Sequence, residues 1–433
     1  MEVRMNSKNI AIVGAGPAGL MAACAAIDAI EQNQKSDDIS VFLFEKMESC
    51  GKKLLMTGNG RCNVTHAGDV SEYIQKYFDN GRFLYSALAA FSPNDLTSFF
   101  TRQGVLLKEE KDGRVFPKSD KAADILQALT TYAKIKGVHF NMKEAILDVE
   151  ICGTSGYCLK TKEQLFYADK LIICTGGLSF PNTGSTGEGF KIATSLGHRI
   201  EHPRPALCPV HILMEQGDLS GMDELQGVSV ENIGISLYEN DRLLKKERGS
   251  LLFAHFGITG PGVFRISREL PVQDDLYIDG MVKIYLDFMP EQTQEQMVDR
   301  LFACLVNFPN RSLLGAWRGI WSESILVFLL KNNGIDALGN ARDISKKQVR
   351  IFTEKVKRMQ FQVKRKPDYS QAMVTRGGVR LSEISPKTME SKKNAGLYFA
   401  GEVLDIDGDT GGYNLQAAFS TGFAAGSNAA MSL

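Results

Sequence analysis

A dominant sign of charge is missing from this 433-residue chain, in which 50 Lys and Arg stand against 50 Asp and Glu. No global field therefore draws it toward nucleic acid or an anionic membrane. Paired cysteines are missing as well. The eight thiols, Cys24, Cys50, Cys62, Cys152, Cys158, Cys174, Cys208 and Cys304, form no C-x-x-C, and no His stands at zinc-ligand spacing from a cysteine pair. They read as reduced thiols of a cytosolic protein, and no metal site is expected. The first strand-like run begins near Asn9, which leaves no room for a secretory leader, so a cytoplasmic location is expected. Charge vanishes between Thr410 and Leu433, yet Asn414, Gln416, Asn428 and recurrent Gly and Ser describe a buried, closely packed helix rather than a membrane span. Thr183 to Gly189 lacks the Lys-Ser/Thr ending of a phosphate loop, so nucleotide hydrolysis has no support. Asp405-Ile406-Asp407-Gly408-Asp409 looks like the start of a calcium loop, but the acid needed at its far end is replaced by Gln416. No internal repeat or low-complexity tract is present, and 44% hydrophobic residues suffice for the cores of about two or three domains.

What the chain does contain is a glycine fingerprint in full context. The apolar strand Asn9 to Val13 runs into Gly14-Ala15-Gly16-Pro17-Ala18-Gly19 and then into a helix of small residues. Gly14 permits the tight turn, Gly16 lets the backbone approach a pyrophosphate, and Gly19 lets the helix lie close to the sheet. Amides at that helix start, Pro17 and Ala18 included in the turn, face phosphates with a favourable dipole. The next apolar strand, Ile39 to Phe44, ends at Glu45 with Lys46 behind it. A carboxylate there accepts from ribose hydroxyls and argues against a 2′-phosphate. The stretch Gly51 to Asn63 follows, in which Lys52, Lys53, Leu54, Asn59, Gly60, Arg61, Cys62 and Asn63 offer a pliable backbone with cationic donors beside it, suited to an anionic ligand; the alternative is a surface loop. Cys62 is a candidate redox thiol of lowered pKa, although no partner cysteine stands at disulfide-reductase spacing, which favours a structural or cofactor-adjacent role.

Helical patterns are expected from Val70 to Gln103 and from Ala122 to Lys136. Short antiparallel strands are expected at Val138 to Asn141, Glu144 to Glu150 (with Ile146 assigned to the cofactor site), Tyr157 to Thr161 and Gln164 to Tyr167. Lys170 to Cys174 is a fully buried strand type ending in Thr175-Gly176-Gly177, where side chains would obstruct a close approach to the cofactor. Proline and mixed alternation then replace the βα rhythm, with strand-like Pro209 to Met214, Val228 to Tyr238 and Leu276 to Phe288, and helical Glu291 to Asn307, Ser322 to Lys331 and Ser345 to Arg358. Leu397 to Ala400 returns the chain to the first domain. The expected division is 1–195 with 376–433 as the cofactor domain and 196–375 as an insertion, β-rich over 196–289 and 359–375 and helical over 290–358.

Five blocks in order, Gly14 to Gly19, Gly51 to Asn63, Thr175 to Gly189, Leu251 to Gly262 and Gly401 to Gln416, make the chain resemble the flavoprotein family that includes aminoacetone oxidase and the BaiN-type bile-acid reductases. The resemblance implies an α/β fold: a discontinuous, glutathione-reductase-like Rossmann domain binding FAD, with an inserted β-barrel-like domain and a small helical subdomain. It implies that Gly401, Glu402, Asp405, Gly412, Tyr413, Asn414, Leu415 and Gln416 complete the cofactor site. Gly411 and Gly412 precede a helix expected near Tyr413, whose amides would face the flavin N1 and C2 carbonyl. His255 is a candidate acid or base, a hinge histidine being the alternative. Arg376-Gly377-Gly378-Val379 marks the return crossing, beside flavin, beside substrate, or as a plain turn.

The implied activity is hydride transfer between flavin and a small organic substrate, by amine oxidation or by enone or alkene reduction, with O2 or NAD(P)H as the second redox partner. Two alternatives come from other classes. One is an RNA-associated flavoprotein, motivated by the basic run Arg342, Lys346, Lys347, Arg350, Lys355, Lys357, Arg358, Lys364, Arg365 and Lys366. The other is a flavin-binding protein without turnover. No membrane partner is expected, and nucleic acid is the lesser alternative because such a run is more often a solvated face.

Overall fold

The computed structural model describes residues 8–33, 38–153, 156–214 and 223–433. The chain forms two compact units, Met1–Pro205 with Ala372–Leu433, and Ala206–Gln371. The first is built on a parallel sheet with strand order Leu397–Phe399, Lys170–Ile173, Lys8–Val13, Ile39–Glu45, His139–Met142. Ile10, Ala11 and Ile12 are wholly buried, as a central strand covered on both faces requires, which explains the unbroken apolar run in the sequence. His139–Met142 joins this sheet parallel to Ile39–Glu45, which corrects the antiparallel expectation for Val138 to Asn141. The reason is the helix Ala122–Ile135 that precedes it: a strand reached through a crossover helix comes back parallel.

Two helices cover the centre of this sheet. Pro17–Gln32 leaves the fingerprint and is buried almost all round, and Tyr413–Met431 packs along it. The contact is made by residues without bulk. A Cβ at Gly422 would collide with the Ala18 carbonyl, and one at Gly426 with the Ala22 carbonyl, so the two backbones approach to the distance only glycine allows. This is the physical use of the uncharged, small-residue C-terminal stretch. Among the described residues no helix is long and apolar enough to cross a membrane.

The pattern expected as one helical region, Val70 to Gln103, is divided into Val70–Ile74, Tyr85–Ala90 and Pro93–Arg102, the last started by a Ser92–Asp95 capping box. Asp148–Cys152, Gly156–Lys160 and Leu165–Ala168 form an antiparallel sheet, so the strand expected at Glu144 begins only at Asp148. Its first hairpin brings Cys152 and Cys158 to a Cα separation of 5.9 Å and joins them as a disulfide. That overturns the expectation of eight reduced thiols: a spacing without motif value becomes a bridge once the register, with Cys152 opposite Gly156 and Cys158 opposite Glu150, sets the two residues diagonally on one face.

In the second unit six strands close a barrel, in the order Val210–Met214, Gly257–Thr259, Arg242–Ala254, Ser229–Glu239, Val282–Asp287, Met359–Val363. Val282–Asp287 alternates buried and half-buried residues strictly, as a strand with one face in a barrel core does. The strand expected from Leu276 instead opens with a helical turn, Asp275–Ile278, closed by Gly280 at φ +67°. Gln294–Asn307, Glu323–Asn332 and Lys346–Lys357 pack around Trp317, Phe328 and Phe352.

Candidate cofactor site

A cavity of about 590 Å³ opens beyond the carboxyl ends of the central strands, and every residue that lines it belongs to the first unit. Its floor is the fingerprint turn. Gly14 has φ +103°, and a Cβ on it would lie 2.5 Å from the Cys174 carbonyl oxygen; a Cβ on Gly19 would collide with the Gly14 carbonyl. Both glycines therefore serve the fold. Gly16 differs: its φ of −80° suits any residue, and no protein atom lies within 4 Å of where its Cβ would stand. No side chain caps the helix that begins at Pro17, which itself has no N–H, so the amides of Ala18 and Gly19 are left without a capping partner beside the cavity.

Glu45 holds this turn in place. One carboxylate oxygen accepts from Ala15 N at 2.9 Å and the other from Met47 N at 2.8 Å. Lys46 pairs with Glu188 at 2.8 Å, drawing the stretch before helix Glu188–Ser195 to the same end of the cavity. At the other end Glu402 accepts from Lys53 Nζ at 2.6 Å, from Ser179 Oγ at 2.7 Å and from Thr375 N at 2.8 Å. Asn414 clasps the Gly408 peptide with both amide atoms, each at 2.8 Å, which fixes the loop before the C-terminal helix. Met373, Val374, Ile406, Leu415, Ala417 and Ala418 make this second end apolar. Two buried oxygens in the lining, Thr175 Oγ1 and Glu144 Oε1, have no protein partner.

Of the residues expected from sequence, the cavity gathers Gly14, Gly16, Pro17, Ala18, Glu45, Lys46, Lys52, Lys53, Leu54, Ile146, Thr175, Gly176, Gly401, Glu402, Asn414 and Leu415. Others lie behind it. Asn59, Gly60, Arg61, Cys62 and Asn63 are outside the lining, because after Lys52–Met56 the chain turns through Thr57–Gly60 and folds back on its neighbours. Arg61 binds Glu110 and, at 2.8 Å, Asp120, with its guanidinium over Phe116. Asp405 is tied to Asn80, and burial raises its pKa. Gly177 abuts Thr375, and a Cβ on Gly412 (φ +100°) would lie 2.5 Å from the Thr65 carbonyl. The Tyr413 ring stacks on His66 at 5.0 Å, and Gln416 is wholly buried, accepting from Thr65 Oγ1 at 2.6 Å. These residues shape the wall from outside. Ser179, Thr375, Glu188 and Glu144 were missed; the first and third lie inside the Thr175 to Gly189 block, where glycines drew attention from the side chains between them.

Cys62 is the reverse of an activated thiol. Burial pushes its pKa up to about 12, so at pH 8 only about one molecule in 10⁴ carries the thiolate. Native protein treated with iodoacetamide at pH 8 should leave Cys62 unlabelled, and labelling there before unfolding would contradict this burial. His255 stands exposed in the turn between Arg242–Ala254 and Gly257–Thr259, its ring edge-on to Phe256 at 5.0 Å. Within the basic run Lys346 pairs with Asp299, Arg350 with Glu295, Lys357 with Asp287 and Lys366 with Asp274. Among the described residues no cluster of three or more His, Cys, Asp or Glu is arranged to hold a metal ion.

A parallel sheet, a glycine turn at a helix start and an acid closing the second strand define a Rossmann-type dinucleotide-binding protein. Residues 8–428 match the family model described as HI0933-like protein Rossmann domain. The chain belongs to this family, whose members are FAD-dependent oxidoreductases. It is 30% identical over 422 residues to the 3-dehydro-bile acid delta(4,6)-reductase of Clostridium scindens, covering 97% of this chain and 98% of that protein. It is also 30% identical over 422 residues to the ribosomal RNA dihydrouridine synthase of Escherichia coli, covering 95% and 96%. Among solved structures, the 3-ketosteroid delta1-dehydrogenase of Sterolibacterium denitrificans is similar with a TM-score of 0.53 at 11% identity, over 99% of this chain and 100% of that one, a likeness of fold.

Proposed function

We propose that the cavity holds FAD and that the protein uses it to reduce a carbon–carbon double bond conjugated to a carbonyl group. The fit rests on the open space at Gly16, the uncapped helix start and the two partnerless oxygens, Thr175 Oγ1 and Glu144 Oε1, all features that a phosphate- and hydroxyl-rich ligand would complete. The amides of Ala18 and Gly19 would meet the pyrophosphate, and the end of the cavity near Glu45 and Lys46 the adenosine half. The Gly401–Glu402 end would then hold the flavin half. When bound, FAD supplies two-electron hydride chemistry.

The observation that carries the choice of reaction is the character of that second end. Apart from Lys53, Asn414 and Thr421 the side chains grouped around its carboxylate are aliphatic or thioether, and that carboxylate, Glu402, is engaged by Lys53, Ser179 and Thr375. A cationic amine would find no free anion there, whereas a neutral conjugated system meets the apolar wall it needs, with water excluded. The names of the two relatives agree, since a bile-acid 4,6-diene and the uracil ring of uridine both carry an alkene conjugated to a carbonyl.

Protein reduced anaerobically with NADH, NADPH or dithionite should be reoxidised by a steroid 4-en-3-one, by uridine or by ribosomal RNA fragments, and oxidised protein should stay yellow with aminoacetone. Bleaching by the amine, with no reoxidation by any conjugated alkene, would sink this reading. The RNA arm decides between free and polymeric substrates. NADH or NADPH as natural donor is part of the proposal, and stopped-flow bleaching by one of them tests it.

A further inference from the structure

Three segments remote in sequence meet on one carboxylate. Glu402 Oε1 accepts from Ser179 Oγ at 2.7 Å and from Thr375 N at 2.8 Å, while Glu402 Oε2 accepts from Lys53 Nζ at 2.6 Å across 349 positions of sequence. Lys53 also donates to Ser179 Oγ. The direction of each bond follows from proton counts. Ser179 has one hydroxyl proton and gives it to Glu402, so it receives from Lys53; the ammonium has three protons, two of them engaged in this ring. The third is left for the cavity that Lys53 lines. On the other side Glu402 Oε1 is filled by two donors, while Oε2 retains a lone pair. Thr375 Oγ1 braces the ring by accepting from Leu178 N at 2.8 Å and Ser179 N at 3.1 Å. Lys53 and Glu402 are both mostly buried, with side-chain exposures of 22% and 19%, so water screens them weakly.

We propose that Lys53 and Glu402 are an opposed pair of charges that sets the reduction potential of the bound FAD, Lys53 raising it and Glu402 lowering it. With the adenosine half at Glu45 and the pyrophosphate at the helix start, the flavin half extends to the end of the cavity where this ring stands. Reduction leaves a negative charge on the flavin near neutral pH. A fixed ammonium favours that charge and a fixed carboxylate opposes it. Each partly cancels the other, so neither acts at full strength until its partner is removed. The inference rests on FAD occupying the cavity and is independent of which substrate is reduced.

The test uses FAD-loaded Lys53→Gln, Glu402→Gln, the double variant and Lys53→Arg, with midpoint potentials read anaerobically against reference dyes and the dissociation constant of oxidised FAD measured separately. Lys53→Gln should weaken binding of reduced relative to oxidised FAD by about tenfold, which is ~30 mV for a two-electron couple. Glu402→Gln should shift the ratio in the opposite direction, the double variant should return close to the parent, and Lys53→Arg should hold the parent value. Equal loss of affinity in both oxidation states with no change of potential would make the ring a structural clamp and overturn the proposal, as would shifts of the same sign from the two single changes. If Lys53→Gln fails to retain FAD, a lowered potential in Glu402→Gln alone is enough to refute it.

Discussion

Gly16→Val protein should purify folded and colourless. At φ −80° and ψ −174° a valine is in ordinary extended backbone, and apart from its own chain neighbours nothing in the protein lies within 4 Å of the new Cβ, so the fold leaves room for the branch. The methyls instead occupy the approach to the uncapped helix start. An overlap there worth about 3 kcal/mol lowers affinity by about two orders of magnitude, and FAD is then lost on a desalting column. Flavin absorbance per protein, with the circular dichroism melt as control, checks both halves. A yellow variant would mean that phosphates do not sit over Gly16, and an unfolded one that the open space belongs to the core.

Gly426→Val should do the reverse and remove the fold. Its Cβ would meet the Ala22 carbonyl, which belongs to the first helix and is held there by its own hydrogen bonds. Overpacking a core costs about 1–3 kcal/mol where side chains give way, and more where backbone must. The interface between Pro17–Gln32 and Tyr413–Met431 would have to open along its length, with Gly422 making the same contact one turn earlier. Insoluble protein, or a Tm lower by about 10 °C or more with ligand absent, is the expected result. A variant melting with the parent would show that the two helices have slack which this packing denies.

These two glycines show what a sequence can and cannot disclose. The turn at Gly14 to Gly19 was legible because three demands, a tight turn, an open approach and close helix packing, each need glycine at a fixed spacing. The uncharged end of the chain was legible as a buried helix because lipid offers nothing to Asn414, Gln416 and Asn428. Partners were not legible. Alternation at Val138 to Asn141 describes an edge strand equally well in either direction, and only the helix before it decides. Lys52 to Asn63 announces cations and glycines but not their aim: Lys53 faces the cavity while Arg61 turns back to Glu110 and Asp120. The ring of Lys53, Ser179, Thr375 and Glu402 has no local pattern, since its members come from four separate stretches of chain. Alternation gave a β-rich insertion and the family resemblance implied that it closes as a barrel, whereas the Cys152–Cys158 bridge depends on hairpin register, which spacing does not encode.

The packing of Tyr413–Met431 on Pro17–Gln32 also sets an order of events. On the ribosome the fingerprint emerges first, yet the helix that carries it cannot bury its other face until residues beyond 413 have been made. Throughout that interval the nascent chain holds an apolar helix with no cover and a nucleotide turn with no opposite wall. The nucleotide turn therefore gains its opposite wall only after residues 413–431 have been made, and until then the chain must keep an apolar helix away from other partners.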